Sequence, residues 1–157
     1  MNMNVKTIGF ITTLALVVIY ASGSGIWVNS SPGWYSALNR PTWQPPDLIF
    51  GIIWPYNFLV IGIASYFVTQ HASQKTMVLW NSLFAISVCS ALVWAQQFYV
   101  PHNLVIAAVA LTLTALITIP LTVIAYQQSL GIGLLFTPYQ IWIATAASLS
   151  ISYASKN

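Results

Sequence analysis

The stretch Trp34–Trp54 reads WYSALNRPTWQPPDLIFGIIW, with three tryptophans, one tyrosine and three prolines leading into an apolar segment. Proline stiffens the backbone, and tryptophan and tyrosine favour the headgroup level of a bilayer. A flexible connector needs neither. Rings and rigid backbone gathered at a membrane boundary suggest a structured loop that covers something, a lid or the rim of a pocket.

Composition sets the solvent outside that loop. Hydrophobic residues make up 58% of the chain and charged residues 3%, against about a quarter charged in a soluble domain. Such a chain lacks the polar groups to surround a globule, so lipid takes the place of water. The net charge of +3 comes from Lys6, Arg40, Lys75 and Lys156 against Asp47. These charges are scattered, so the high pI reflects a lack of acids and no nucleic-acid-binding face. The single cysteine, Cys89, excludes an intrachain disulfide.

Five apolar segments follow, at about residues 7–27, 47–69, 77–100, 104–125 and 132–153, each near the roughly 20 residues that span hydrocarbon. Separate spans in lipid must satisfy their own backbone, which makes them helices. The expectation is an all-α, five-helix integral membrane bundle forming one domain over residues 1–157, with a long structured first loop as its lid. Residues 1–22 also have the outline of a signal peptide, with Lys6, an apolar core and Ala21-Ser22-Gly23. The apolar run is long for one, and the segment is read as a mature helix. Lys6 and Lys75 fall on one side and Arg40 and Lys156 on the other, so the positive-inside rule has nothing to decide. Asn29-Ser30-Ser31 is read as a chance match to a glycosylation sequon.

The spans hold no Lys, Arg or Glu, and Asp47 stands only at the start of the second. Proton coupling needs ionisable groups inside the membrane, which argues against an antiporter. His71 and His102 belong to different connections and should face opposite sides, where they cannot share a metal or join Asp47 in a triad. They are read as interfacial, and acid–base catalysis has almost no candidates. No metal site is expected.

Aromatic surface is what remains. Phe50, Trp54 and Phe58 form one stripe on the second helix, and Trp94 and Phe98 repeat its spacing on the third, with Ala91 one turn earlier. Tyr139, Trp142, Ala146, Leu149 and Tyr153 share a face of the fifth. Ordinary bundle core and an interfacial belt would produce similar stripes. Trp54, Trp94 and Trp142 lie some turns inside their spans, however, where indoles on three helices fit the walls of a slot for a flat, apolar ligand. Pro55, Pro120 and Pro138 should kink their helices and leave gaps. Two small-residue stripes permit close helix contact. Ser87-Ala91-Ala95 is read as a homodimer face, and Ala144-Ser148-Ser152 as internal packing.

The run from Trp34 to Pro46, followed by Phe50-Gly51-Ile52-Ile53-Trp54, resembles the first-loop signature of the translocator protein family, WYxxLx[KR]PxWxPP then FGxxW. This is the TspO/MBR group of tryptophan-rich sensory proteins and peripheral benzodiazepine receptors. Gly62 and Ala64 match its second-helix GxA step, Trp94 and Phe98 its WxxxF element, and Pro138-Tyr139-Gln140-Ile141-Trp142 its PYxxW. The likeness covers essentially the whole chain. Ala91, Ala95 and Ser150 stand where the family usually carries Asn, Ser or Thr, and Asn, and an acidic residue common in the fourth helix is missing. These changes strip polar groups from the implied cavity and leave its aromatic walls.

The resemblance implies a multi-pass protein of a bacterial envelope or organellar outer membrane, whose first loop folds over a cavity open to one face. It implies porphyrins such as protoporphyrin IX and haem as ligands, with no cofactor required, and sterols or synthetic isoquinoline and benzodiazepine compounds as further ones. Its binding residues map onto Trp54, Phe58, Ala91, Trp94, Phe98, Trp142 and Ala146, with Trp34, Pro45 and Pro46 in the lid. Three roles follow: a receptor or carrier in porphyrin transport, buffering or stress signalling; light- and oxygen-dependent porphyrin breakdown with Trp142 and Trp54 as redox-active indoles; or a sterol- or lipid-binding scaffold. Leu149-x3-Tyr153-x2-Lys156 meets the loose cholesterol-contact pattern, but Tyr153 and Lys156 are better read as interfacial anchors.

Overall fold

The computed structural model describes residues 4–157, so the first three residues of the signal-peptide outline lie outside it. Six helices occur among the described residues: α1 (Val5–Val28), α2 (Pro32–Ala37), α3 (Asp47–His71), α4 (Gln74–Tyr99), α5 (Leu104–Gln128) and α6 (Leu130–Lys156). All but α2 are long and apolar enough to cross a membrane, at 24 to 27 residues each. At 1.5 Å per residue they reach about 36–40 Å, beyond the roughly 30 Å of hydrocarbon.

Helix starts are set by polar caps that an apolar run does not reveal. Asn4 accepts from the Lys6 amide at 3.2 Å, Ser73 from Thr76 at 3.2 Å and Asn103 from Ile106 at 3.1 Å. Each cap satisfies an orphan amide of the first turn. The Ser73 cap moves the start of α4 forward to Gln74. Only Ser129 separates α5 from α6, so these two form a tight antiparallel hairpin. Gly133 permits its closeness, since a Cβ there would lie 2.2 Å from the ring of Tyr126. α3, α5 and α6 continue through Pro55, Pro120 and Pro138.

The five long helices close a ring in the order α1, α3, α6, α5, α4 and back to α1. Side-chain hydrogen bonds stitch each neighbouring pair. Lys6 Nζ donates to the Gln70 carbonyl (2.6 Å), Tyr56 to the Leu135 carbonyl (2.8 Å), and Gln140 Nε2 to the Ala115 carbonyl (3.1 Å). Ser90 donates to the Ala110 carbonyl at 2.7 Å, and Thr13 to Asn81 Oδ1 at 2.6 Å. Across the ring, Trp80 Nε1 donates to Ser65 Oγ at 2.9 Å. Valines, leucines and isoleucines such as Val18, Leu59, Leu116 and Ile141 face outward, as a lipid-embedded surface requires.

The two small-residue stripes exchange roles relative to expectation. Ser87, Ala91 and Ala95 are fully buried inside the monomer, so this stripe is no dimer face. Ala144 and Ser148 are exposed and Ser152 is partly so. Without a hydrophobic force between helices in lipid, small residues mark close approach but not its direction.

Candidate functional site

A cavity of about 570 Å³ opens beneath the first loop. Three aromatic patches converge on it. Phe50, Trp54 and Phe58 come from α3, Trp94, Phe98 and Tyr99 from α4, and Trp142 and Tyr153 from α6 with Ala146, Leu149 and Ser150 between them. The rings brace one another: Phe50 meets Trp142 edge-on at 5.0 Å, and Trp54 lies near-parallel to Phe58 at 5.8 Å. Behind them, buried Tyr20 of α1 presses edge-on against Trp54 at 5.9 Å and Phe58 at 5.4 Å.

Of the ten residues expected at the site, Trp54, Phe58, Trp94, Phe98, Trp142 and Ala146 line this cavity. Ala91 does not: it is wholly buried in the helix packing, and the indole of Trp94 one turn on takes the wall. Trp34 does not line it either. Its ring stacks on His102 at 3.9 Å and meets Phe98 edge-on at 5.3 Å, so it wedges the loop from outside. Tyr35 is the lid aromatic that faces inward, with Ser36 and Arg40. Pro45 and Pro46 shape the approach to α3, where Pro46 is the N-cap, and neither reaches the cavity.

The lid is docked at several points. Tyr35 packs among Phe98, Tyr99 and Tyr153 at 5.9 to 6.3 Å. The Tyr153 hydroxyl donates to Gln44 Oε1, and Gln44 Nε2 donates to the Tyr35 hydroxyl at 3.3 Å. The Asn39 amide donates to Asn157 Oδ1 at 2.8 Å, which ties the loop to the end of α6. Tyr153 therefore points inward, buried under the lid, and is no interfacial anchor.

Sequence reasoning missed the α1 wall, made by Ala21, Ser24, Gly25 and Val28. The small residues near the end of that span were the available signal, and no aromatic stripe drew attention to them. Chemically the wall is apolar and neutral except at its mouth, where Arg40 and Asp47 pair at 3.5 Å. Trp94 Nε1, Trp142 Nε1 and Ser150 Oγ are buried in the wall without a hydrogen-bond partner among the described residues. His71 ends α3 and His102 follows α4, at opposite ends of the bundle. No cluster of three His, Cys, Asp or Glu occurs among the described residues. Such a site can enclose a molecule, and offers little for proton transfer.

Five spanning helices around a lidded aromatic cavity define a multi-pass integral membrane protein. The chain belongs to the TspO/MBR family, whose model matches residues 10–155. It is 30% identical to the tryptophan-rich protein TspO of Chlorobaculum tepidum, over 100% of this chain and 99% of that protein. Protein CrtK of Rhodobacter capsulatus is 29% identical over 78% of each chain. The translocator protein of Sus scrofa is 29% identical over 74% of this chain and 70% of its own.

Proposed function

We propose that the cavity binds flat, apolar tetrapyrroles such as protoporphyrin IX or haem, as a membrane receptor or carrier in their transport, buffering or signalling. The observation that carries this reading is the convergence of indole and phenyl faces from α3, α4 and α6 on one cavity. Its 570 Å³ falls within the range of about 300–1,000 Å³ typical of small-molecule sites. Binding by stacking and area burial needs no charged group between the aromatic walls, which suits a lining whose charges lie at its mouth. Sterols and synthetic isoquinoline or benzodiazepine ligands are apolar too, and compete for the same space if they bind.

The test is a titration of detergent-purified protein with protoporphyrin IX in the dark, followed by tryptophan quenching. Saturable binding is expected, weakened about five-fold in Trp142→Phe and in Trp54→Phe, since an aromatic contact contributes roughly 1 kcal/mol beyond its area. Non-saturating quenching, equal in wild type and both variants, means that porphyrin only partitions into the micelle and overturns the reading.

A further inference from the structure

The mouth of the cavity holds the two charged side chains that line it, Arg40 from the first loop and Asp47 from the start of α3. Their pairing is loose. A single contact of 3.5 Å joins Nη1 to Oδ1, and the side chains are 40% and 73% exposed. Exposed pairs of this kind stabilise little, so Arg40 is not committed to Asp47. Its position is nevertheless well defined. The guanidinium carbon lies 5.4 Å from the centre of the Tyr35 ring, itself part of the lid's inner surface. The neighbouring Asn39 is bonded through its amide to Asn157 Oδ1, which fixes the backbone that carries Arg40. A charged, planar donor is thus held at an opening whose other charged side chain is Asp47. Guanidinium presents paired donors that match a carboxylate in two parallel hydrogen bonds.

Resting on the tetrapyrrole reading, we propose that Arg40 selects occupants with a carboxylate at one edge, and that Asp47 opposes it as an internal competitor. The incoming carboxylate takes Asp47's place on the guanidinium while the ring system lies between the aromatic walls. The site then prefers acidic porphyrins to their neutral esters, and to apolar molecules without an acid. Asp47 lowers the affinity twice, by occupying Arg40 and by repelling a second negative charge at short range. The two residues therefore act with opposite sign on one ligand class and with no effect on the other.

The experiment compares protoporphyrin IX with its dimethyl ester on the full-length protein in neutral detergent, in the dark, by tryptophan quenching. Wild type, Arg40→Gln and Asp47→Asn are measured, and thermal unfolding verifies that each variant is folded. Arg40→Gln is expected to bind the diacid about ten-fold more weakly, in line with a charge-assisted hydrogen bond. Asp47→Asn is expected to bind it a few-fold more tightly, and the ester should respond to neither change. Added salt should weaken the diacid alone. Saturable binding in which all three proteins treat diacid and ester alike overturns the role of Arg40 and leaves the tetrapyrrole reading standing. Failure of both porphyrins to saturate the wild-type protein overturns the tetrapyrrole reading and the role of Arg40 with it.

Discussion

Gly25 and Gly133 carry the same side chain for opposite reasons. A Cβ at Gly25 would meet nothing within 4 Å, and the residue lines the cavity. Gly25→Leu should therefore fill part of the binding space from α1 without disturbing the packing. Porphyrin affinity is expected to fall at least ten-fold, with unfolding temperature unchanged or slightly raised because leucine favours helix over glycine. Unchanged affinity in a folded Gly25→Leu protein would show that the ligand lies elsewhere. Ala146 tests the facing wall, since it lines the cavity one turn beyond Trp142. Ala146→Thr should weaken binding several-fold by intruding on the space for a ring edge, and the same quenching titration measures it. At Gly133 an added methyl group would meet the Tyr126 ring at 2.2 Å. Gly133→Ala must swing that ring away and break its 2.8 Å hydrogen bond to Thr137. An overpacking cost of about 1–3 kcal/mol corresponds to a fall of several degrees in unfolding temperature, with the cavity itself untouched.

The first loop shows what element-scale reading can and cannot reach. Its prolines and tryptophans mark it as stiff, and the fold places it as a docked lid. The short helix α2 within it was not legible, because six residues beginning at Pro32 carry no periodic pattern long enough to read. Nor was the division of labour between Trp34 and Tyr35, since adjacent residues differ only in which way the docked backbone turns them. The spans were legible from length and hydropathy alone, whereas their polar first turns were not, as Gln74 at the start of α4 illustrates. Aromatic spacing identified the α3 face, Phe50-Trp54-Phe58, because a four-residue repeat keeps one helix face. The same spacing in small residues misassigned the two stripes, since burial in lipid leaves no contrast in hydropathy. The lid's docking is itself testable. Trp34→Ala removes the stack on His102 and the edge contacts with Phe98 and Tyr99. Losing three aromatic contacts of about 0.5–1.5 kcal/mol each should speed amide exchange in the loop roughly ten-fold or more, while the spans keep their protection. Exchange in the loop equal to wild type would mean that the bonds of Asn39, Gln44 and Tyr153 hold the lid without Trp34.

At the scale of the whole molecule, the usual division between apolar core and polar surface is replaced by a different rule. Outside and inside are both apolar, and specificity lies in where the few polar groups meet. The ring of helices is joined by one or more side-chain hydrogen bonds at each interface, and most of these end on a backbone carbonyl. Asn57 breaks the rule. It is fully buried near the centre of α3, and neither its amide nitrogen nor its oxygen has a partner among the described residues. The hydroxyls of Tyr20 and Tyr139, on the flanking helices, are likewise buried and unpaired. In hydrocarbon surroundings an amide without partners is costly, on the order of 1–3 kcal/mol by mutational scales. Asn57→Leu keeps the branching at Cγ and replaces the amide by methyl groups, so it exchanges unmet hydrogen bonds for apolar contact. The unfolding temperature in detergent should rise by several degrees, at roughly 2–4 °C per kcal/mol for a chain of this size. Asn57 is absent from the cavity wall, so porphyrin affinity should stay within two-fold of wild type. A lower unfolding temperature, in Asn57→Leu and in the smaller Asn57→Ala alike, would overturn the view of Asn57 as an unpaired group.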